Sequence, residues 1–253
     1  MSNEIERARA LVENARHIVI LTGAGVSAES GIPTFRGAGG LWKDFRAEDL
    51  ATPEAFARDP RTVWEWYAWR RELVGTRQPN AAHVAMAERA LRKPNVTIVT
   101  QNVDGLHARA ARDAARGRDP APALPIEVHG SLLRDRCSGC HARSEPVPVN
   151  TASRETLPRC ARCGALLRPD VVWFGEMLDE SVLAAADAAA RDADVCLVVG
   201  TSALVHPAAS LPLHTRAAGG MVIEVNPEDT PLTRAAELSI RGKAAEVVPQ
   251  LIL

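Results

Sequence analysis

His17-Ile18-Val19-Ile20-Leu21, followed at once by Gly23-Ala24-Gly25-Val26-Ser27-Ala28, decides how this chain folds. The apolar run has the length of a buried strand, and a glycine-rich turn of small residues ends it. Strand, Gly-x-Gly, then a helix start is the order that suits a dinucleotide pyrophosphate. Glycines at 23 and 25 let backbone N–H groups come close to phosphate. Alone, Gly-x-Gly-x-x-Ala reads equally well as a packing turn. Asp44 lies at about the right distance for the acidic residue of an ordinary dinucleotide fold but follows no convincing strand, which argues against a dehydrogenase.

Further strand patterns occupy 17–22, 96–100, 194–199 and 221–225, with helical patterns between them. That alternation gives an α/β fold, a doubly wound parallel Rossmann-like sheet. The loops at the strand ends hold the polar motifs, where open α/β sheets bind ligands. Residues 4–16 read as an amphipathic helix. Asp59-Pro60 opens another, to about Val74, with Asp as N-cap and Pro in the first turn. The 37–75 and 136–169 stretches break the pattern and read as one small lobe, helical and zinc-ribbon in character, inserted twice. The main domain is then discontinuous: 1–36, 76–135 and 170–253. The Ala-, Arg- and Pro-rich segment 109–125 reads as a mobile loop.

The 253 residues suffice for a large domain with a small lobe. Thirty basic against thirty-one acidic side chains leave a net charge of -1, which makes no general electrostatic case for nucleic acid or membrane binding. No apolar run nears the roughly 20 residues that span a bilayer. The first residues lack a signal-peptide layout, so the cytoplasm is the expected location.

Four of the five cysteines form two Cys-x-x-Cys pairs, Cys137/Cys140 and Cys160/Cys163. Residues 141–159 separate them, a spacing that fits a four-cysteine zinc ribbon. Four thiolates close the coordination sphere and leave no position for water, so the expected zinc is structural. Nucleic-acid-binding ribbons share the spacing, so the zinc alone does not identify an enzyme.

A second motif, Thr100-Gln101-Asn102-Val103-Asp104-Gly105-Leu106-His107, follows the strand 96–100. Together with Gly23 to Gly37 it resembles the sirtuins, NAD-consuming protein deacylases. The resemblance runs from about Arg16 to Pro249. It implies that Gly23, Ala24, Gly25, Ser27, Thr34, Phe35 and Arg36 line the pyrophosphate and nicotinamide-ribose region, with Trp42 in the same set. Gln101, Asn102, Val103 and Asp104 would face the nicotinamide ribose and carboxamide. Gly200, Thr201, Ser202, Asn226, Pro227 and Ala244 would hold the adenosine end.

His129, in Pro125-Ile126-Glu127-Val128-His129-Gly130, ends a short apolar strand. On its residues alone such a histidine is more often structural, although histidine is the best proton acceptor near neutral pH. The sirtuin His-Gly motif implies catalysis, with Asn102 beside it. In the implied reaction an acyl oxygen of a modified lysine displaces nicotinamide from the ribose. His129 then deprotonates a ribose hydroxyl that attacks the resulting imidate, and hydrolysis gives lysine and O-acyl-ADP-ribose. His107 is expected to pack within its loop, and His83 to be a local hydrogen-bonding residue.

Tyr67 and Arg70 are three apart on a predicted helix and share a face. A phenol and a guanidinium can grip a carboxylate, although a surface Arg on an amphipathic helix fits the pattern too. With Ala51, they match the Ala, Tyr and Arg of the class III sirtuins, which remove succinyl, malonyl and glutaryl groups. The resemblance thus implies a desuccinylase with some deacetylase activity. Val172 and Phe174, in Val171-Val172-Trp173-Phe174-Gly175-Glu176, would flank the acyl-lysine, with the substrate protein bound as an extended peptide; a plain buried strand is the competing reading. Two alternative functions stand beside this one: an NAD-dependent ADP-ribosyltransferase, and a non-catalytic NAD-sensing zinc protein.

Overall fold

The apolar runs form strands buried along their whole length. The computed structural model describes residues 2–34, 41–42 and 45–253, and for Ser2, Leu41, Trp42 and Phe45 it describes the backbone alone. Six strands make one parallel sheet: Ile18–Thr22 (β1), Val96–Thr100 (β2), Ile126–Glu127 (β3), Val195–Val199 (β4), Met221–Asn226 (β5) and Leu238–Arg241 (β6). Their order is β6-β5-β4-β1-β2-β3, the doubly wound arrangement. The four expected strands sit within one residue of their expected ends. The short β3 falls on the apolar stretch before His129, and β6 is an addition.

Both faces of the sheet are covered, which is why β1 and β4 read as continuous apolar runs. Ile18 and Ile20 face one core, built with helices Ser2–Asn14, Ala81–Arg92 and Ala244–Ile252. Val19 and Leu21 face the other, with Ala186 and Ala190 of helix Glu180–Asp192 and with Leu211. The chain reverses its winding direction at β1, so the crevice outside the ends of β1 and β4 is the switch point.

Segment 109–125 is not a loop. Helix Leu106–Ala115 covers its first half and a single 3-10 turn, Ala121–Ala123, its second. Ala110, Ala111, Ala115 and Ala123 are buried. Alanine is the strongest helix former, and its small side chain lets this helix lie close against Ala81–Arg92. Of the arginines that suggest a loop in sequence, Arg112 is exposed on the helix, Arg109 donates to Arg77 O at 2.9 Å, and Arg116 and Arg118 follow its end.

A third hydrophobic core lies outside the sheet. Helices Pro53–Arg58 and Pro60–Gly75 supply Phe56, Trp64 and Tyr67, and the segment after β3 supplies Leu132, Leu157 and Leu167. Asp59 caps the longer helix, accepting from the N–H groups of Arg61 and Thr62, with Pro60 in its first turn. Strands Gly130–Cys137, Arg143–Ser144 and Leu167–Val171 form an antiparallel sheet, which reaches beyond 136–169 at both ends. Gly130 makes the crossing from β3 possible. Its φ is +77°, and a Cβ there would lie 2.1 Å from the carbonyl oxygen of Asp170. The buried Asp135 carboxylate ties this sheet to the helix, with Arg71 Nη2 at 2.6 Å.

Candidate active site

The polar residues singled out in the sequence converge where β1, β2, β3 and β4 end. At the switch point the two glycine loops press against each other. The N–H of Gly23 donates to Val199 O at 3.1 Å and that of Gly25 to Gly200 O at 2.7 Å. A Cβ on Gly25 would fall 2.7 Å from Gly200 O, and one on Gly200 would fall 2.4 Å from Val26 N. These glycines therefore bring the β1 and β4 loops together, and the N–H groups of 23 and 25 are directed at protein carbonyls.

Ser27, fully buried on the short helix Gly25–Ala28, links the next group. Its Oγ donates to Asp104 Oδ2 at 2.7 Å and accepts from Asn102 Nδ2 at 3.1 Å. The other Asp104 oxygen accepts the Leu106 N–H, and burial pushes this carboxyl above its usual range despite that help. Gln101 spans the crevice, its Nε2 donating to Thr201 Oγ1 at 3.0 Å. Val103 carries its carbonyl to the Leu132 N–H. Asn226, at the end of β5, donates its side-chain amide to Glu228 O. The Ala244 methyl is buried in the main core, so a ligand could meet only its backbone. Thr34 and Ser202 are half-buried and Pro227 is exposed on the same side of the sheet. Phe35 and Arg36 lie outside the described residues, and so does the Trp42 side chain.

His129 sits directly after β3 with Nδ1 3.0 Å from the carbonyl oxygen of Gln101. A carbonyl only accepts, so Nδ1 carries the proton and Nε2 keeps a lone pair. Burial lowers the His129 pKa below 6.5, opposed by the Gln101 carbonyl, which favours the protonated ring. The imidazole is thus a neutral base at physiological pH.

The Val172 N–H donates to His129 O and the Phe174 N–H to Ala51 O, both at 2.9 Å. Tyr67 and Arg70 are together and buried, 1% and 8% exposed. The Arg70 guanidinium lies 4.8 Å from the Trp66 ring centre and 5.5 Å from that of Tyr67. Burial lowers its pKa from 12.5, countered by Tyr67 and the charge of Asp104. Arg70 and the Ser27–Asn102–Asp104 cluster are thereby electrostatic neighbours.

Cys137, Cys140, Cys160 and Cys163 bring their sulfurs within 4.8 Å of one another. Cys137 and Cys163 are 3.4 Å apart, Cys140 and Cys160 3.8 Å. A tetrahedral zinc with bonds of about 2.3 Å needs edges of about 3.8 Å, so the set fits this ion. The N–H groups of Cys140 and Gly139 point at Cys137 Sγ and lower its pKa to about 6.

His83 is the local hydrogen-bonding residue expected, its Nδ1 accepting the Asn80 N–H at 3.3 Å at the start of helix Ala81–Arg92. Its ring also packs 4.7 Å from that of His107 and faces Ser27 Oγ at 3.4 Å. Two features went unread in the sequence. Trp173 donates its indole N–H to Tyr67 Oη at 2.8 Å. His107, expected to pack within a loop, lies in the first turn of helix Leu106–Ala115 and bonds Thr22 Oγ1 at 2.9 Å, which in turn bonds Thr100 Oγ1. The only sequence signal for these was that each residue lies in or beside a motif.

Among the described residues no helix is long and apolar enough to cross a membrane. Residues 23–207 match the model of the Sir2 family. An NAD-dependent protein deacylase of Archaeoglobus fulgidus is 51% identical over 242 residues, 95% of this chain and 94% of that one. The solved structure of a Sir2 homologue in complex with NAD superposes with a TM-score of 0.86 at 50% identity, covering 98% of this chain and 92% of the other. A Sir2 protein bound to an acetylated peptide does so with a TM-score of 0.82 at 29% identity, covering 98% and 96%. With that fold, a switch-point crevice suited to NAD and four cysteines placed for a structural zinc, the chain belongs to the Sir2 family of NAD-dependent protein deacylases.

Proposed function

We propose that this deacylase favours acidic acyl groups, succinyl and malonyl, on protein lysines and also accepts acetyl. The observation that carries the reading is the buried Tyr67–Arg70 pair beside Ala51. A guanidinium with a phenol at its side offers charge-assisted, directional bonds to a carboxylate. An acetyl group has nothing to give this pair, whereas a succinyl group brings its carboxylate. The substrate lies as an extended peptide beside Val172–Gly175, with Val172 and Phe174 flanking the modified side chain. The cytoplasm fits such a substrate range.

NAD supplies an activated ribose from which nicotinamide departs. The chain's own part is positional. Ala24, Ser27 and Thr34, with Gln101, Asn102 and Asp104, hold the ribose and carboxamide, and the loop at 200–202 with Asn226, Pro227 and the Ala244 backbone holds the adenosine end. Asn102, fixed by Ser27, orients the reacting ribose. His129 Nε2 accepts the proton of a ribose hydroxyl.

Substitution Arg70→Met tests the acyl preference. Turnover of a succinyl-lysine peptide should fall by roughly tenfold to a hundredfold, the value of a charged hydrogen bond of about 1.5–3 kcal/mol. Turnover of the acetyl-lysine peptide should hold. Equal loss on both substrates would remove Arg70 from this role.

A further inference from the structure

The Tyr67 hydroxyl has one hydrogen and two lone pairs. Two side chains are directed at it. The Trp173 indole N–H donates to Oη at 2.8 Å, and the Arg70 guanidinium stands on the same phenol. Indole and guanidinium only donate. Neither can take the phenol's hydrogen, which is left for an acceptor entering between them.

The indole is itself held on several sides. The Arg168 guanidinium carbon lies 3.3 Å from the Trp173 ring centre. Arg168 makes a two-pronged pair with Glu176, Nη1 to Oε1 at 2.5 Å and Nη2 to Oε2 at 2.9 Å. Glu176 Oε2 also accepts the backbone N–H of Trp173 at 2.8 Å. Phe56 packs on the ring at 5.2 Å between centres. Trp173 is 3% exposed, so its N–H direction is fixed by packing and not by solvent.

We infer that Trp173 is a specificity-positioning residue: its indole N–H, locked by Arg168 and Glu176, fills one lone pair of Tyr67 and turns the phenol into a hydrogen donor for the carboxylate of an acidic acyl-lysine. The inference rests on the acidic-acyl reading above and adds a residue to it. Trp173 touches neither the acyl group nor the reacting atoms. Its effect passes through Tyr67, so it should vanish when the phenol oxygen is gone.

The experiment is a double-mutant cycle on the full-length enzyme with zinc and NAD, using Trp173→Phe, Tyr67→Phe and the double variant. Each is measured on matched succinyl-lysine and acetyl-lysine peptides. For Trp173→Phe the KM for the succinyl peptide should rise about tenfold with kcat nearly unchanged, as expected for one weakened hydrogen bond to a charged group. Its acetyl-lysine KM should change far less, so that the succinyl-to-acetyl KM ratio rises. In the Tyr67→Phe background the same substitution should have no further effect. Equal losses on both peptides, or a full Trp173→Phe effect without the phenol oxygen, would show the indole to be mere packing and overturn the inference. Benzothienylalanine at 173 keeps the ring shape without the N–H, so it separates the hydrogen bond from any folding defect of Trp173→Phe. It should reproduce the KM rise, and wild-type behaviour with it would also overturn the inference. Wild-type enzyme that does not turn over the succinyl peptide would refute the acidic-acyl reading itself and take this inference with it, a result visible before any variant is made.

Discussion

A single carbonyl sets the chemistry available to His129. By accepting from Nδ1 at 3.0 Å, Gln101 O leaves Nε2 as the base, and burial keeps the ring neutral. The kcat/KM profile should therefore have an acid limb with its midpoint below 6.5: activity persists at neutral pH and falls as the ring protonates. His129→Ala should lower kcat by roughly 10²–10⁴-fold and abolish that limb. An acid limb that survives in the variant would place the essential base elsewhere. In the sequence, a strand end and a following glycine mark the place of His129 but suit a structural histidine equally, and only the sirtuin resemblance implies a base there. The Trp173–Tyr67 bond could not, since its partners are 106 positions apart and neither residue type implies the other. The same holds for His107 on helix Leu106–Ala115, whose partner Thr22 ends strand β1.

The elements that carry the site are fixed by local devices. Asp59 with Pro60 starts the Tyr67–Arg70 helix, and both were legible because capping is a rule about adjacent residues. Segment 109–125 misled because arginine, proline and glycine suggest a loop, whereas its alanines are one buried helix face and a 3-10 turn. Strand β6 escaped notice because Ser239 and Arg241 interrupt its apolar residues in only four positions. Gly130 joins the two kinds of sheet. Gly130→Ala must place a Cβ against Asp170 O at a left-handed φ, so it should lower stability by about 3 kcal/mol or more. Thermal unfolding measures this, and an unchanged Tm would show that the crossing can relax.

Across the whole molecule, the site lies between two cores. The loops at the ends of the parallel strands supply Ser27, Asn102, Asp104 and His129, and the core outside the sheet holds Tyr67 and Trp173, with Arg70 on the same helix as Tyr67. Behind the junction sit two histidines that fold uncharged. Burial lowers His83 from 6.5 to about 4 and holds His107 well below 6.5, with the charge of His83 adding to its burial. The unfolded chain binds protons on these rings from pH 6.5 downward and the folded one does not. Stability is thus fully present above 6.5 and is lost as pH falls toward 4. His83 alone accounts for about 3 kcal/mol of that loss. Denaturant unfolding at pH 7.5 and 4.5 should show it, and His83→Gln should flatten the difference; a slope unchanged in that variant would assign the acid sensitivity to other groups. The doubly wound class was legible because strand and helix patterns alternate along the chain, and the metal site because cysteine spacing is a local rule. The strand order β6-β5-β4-β1-β2-β3 was not, since it is decided by pairing between segments distant in sequence.

In this NAD-dependent deacylase the buried Tyr67–Arg70 pair is proposed to select acidic acyl groups. Mass spectrometry of matched succinyl-lysine and acetyl-lysine peptides, incubated with the enzyme with and without NAD, tests it most directly. The account predicts NAD-dependent loss of succinyl in preference to acetyl, with nicotinamide and O-succinyl-ADP-ribose released together. Loss of acetyl alone, with the succinyl peptide untouched, would contradict it.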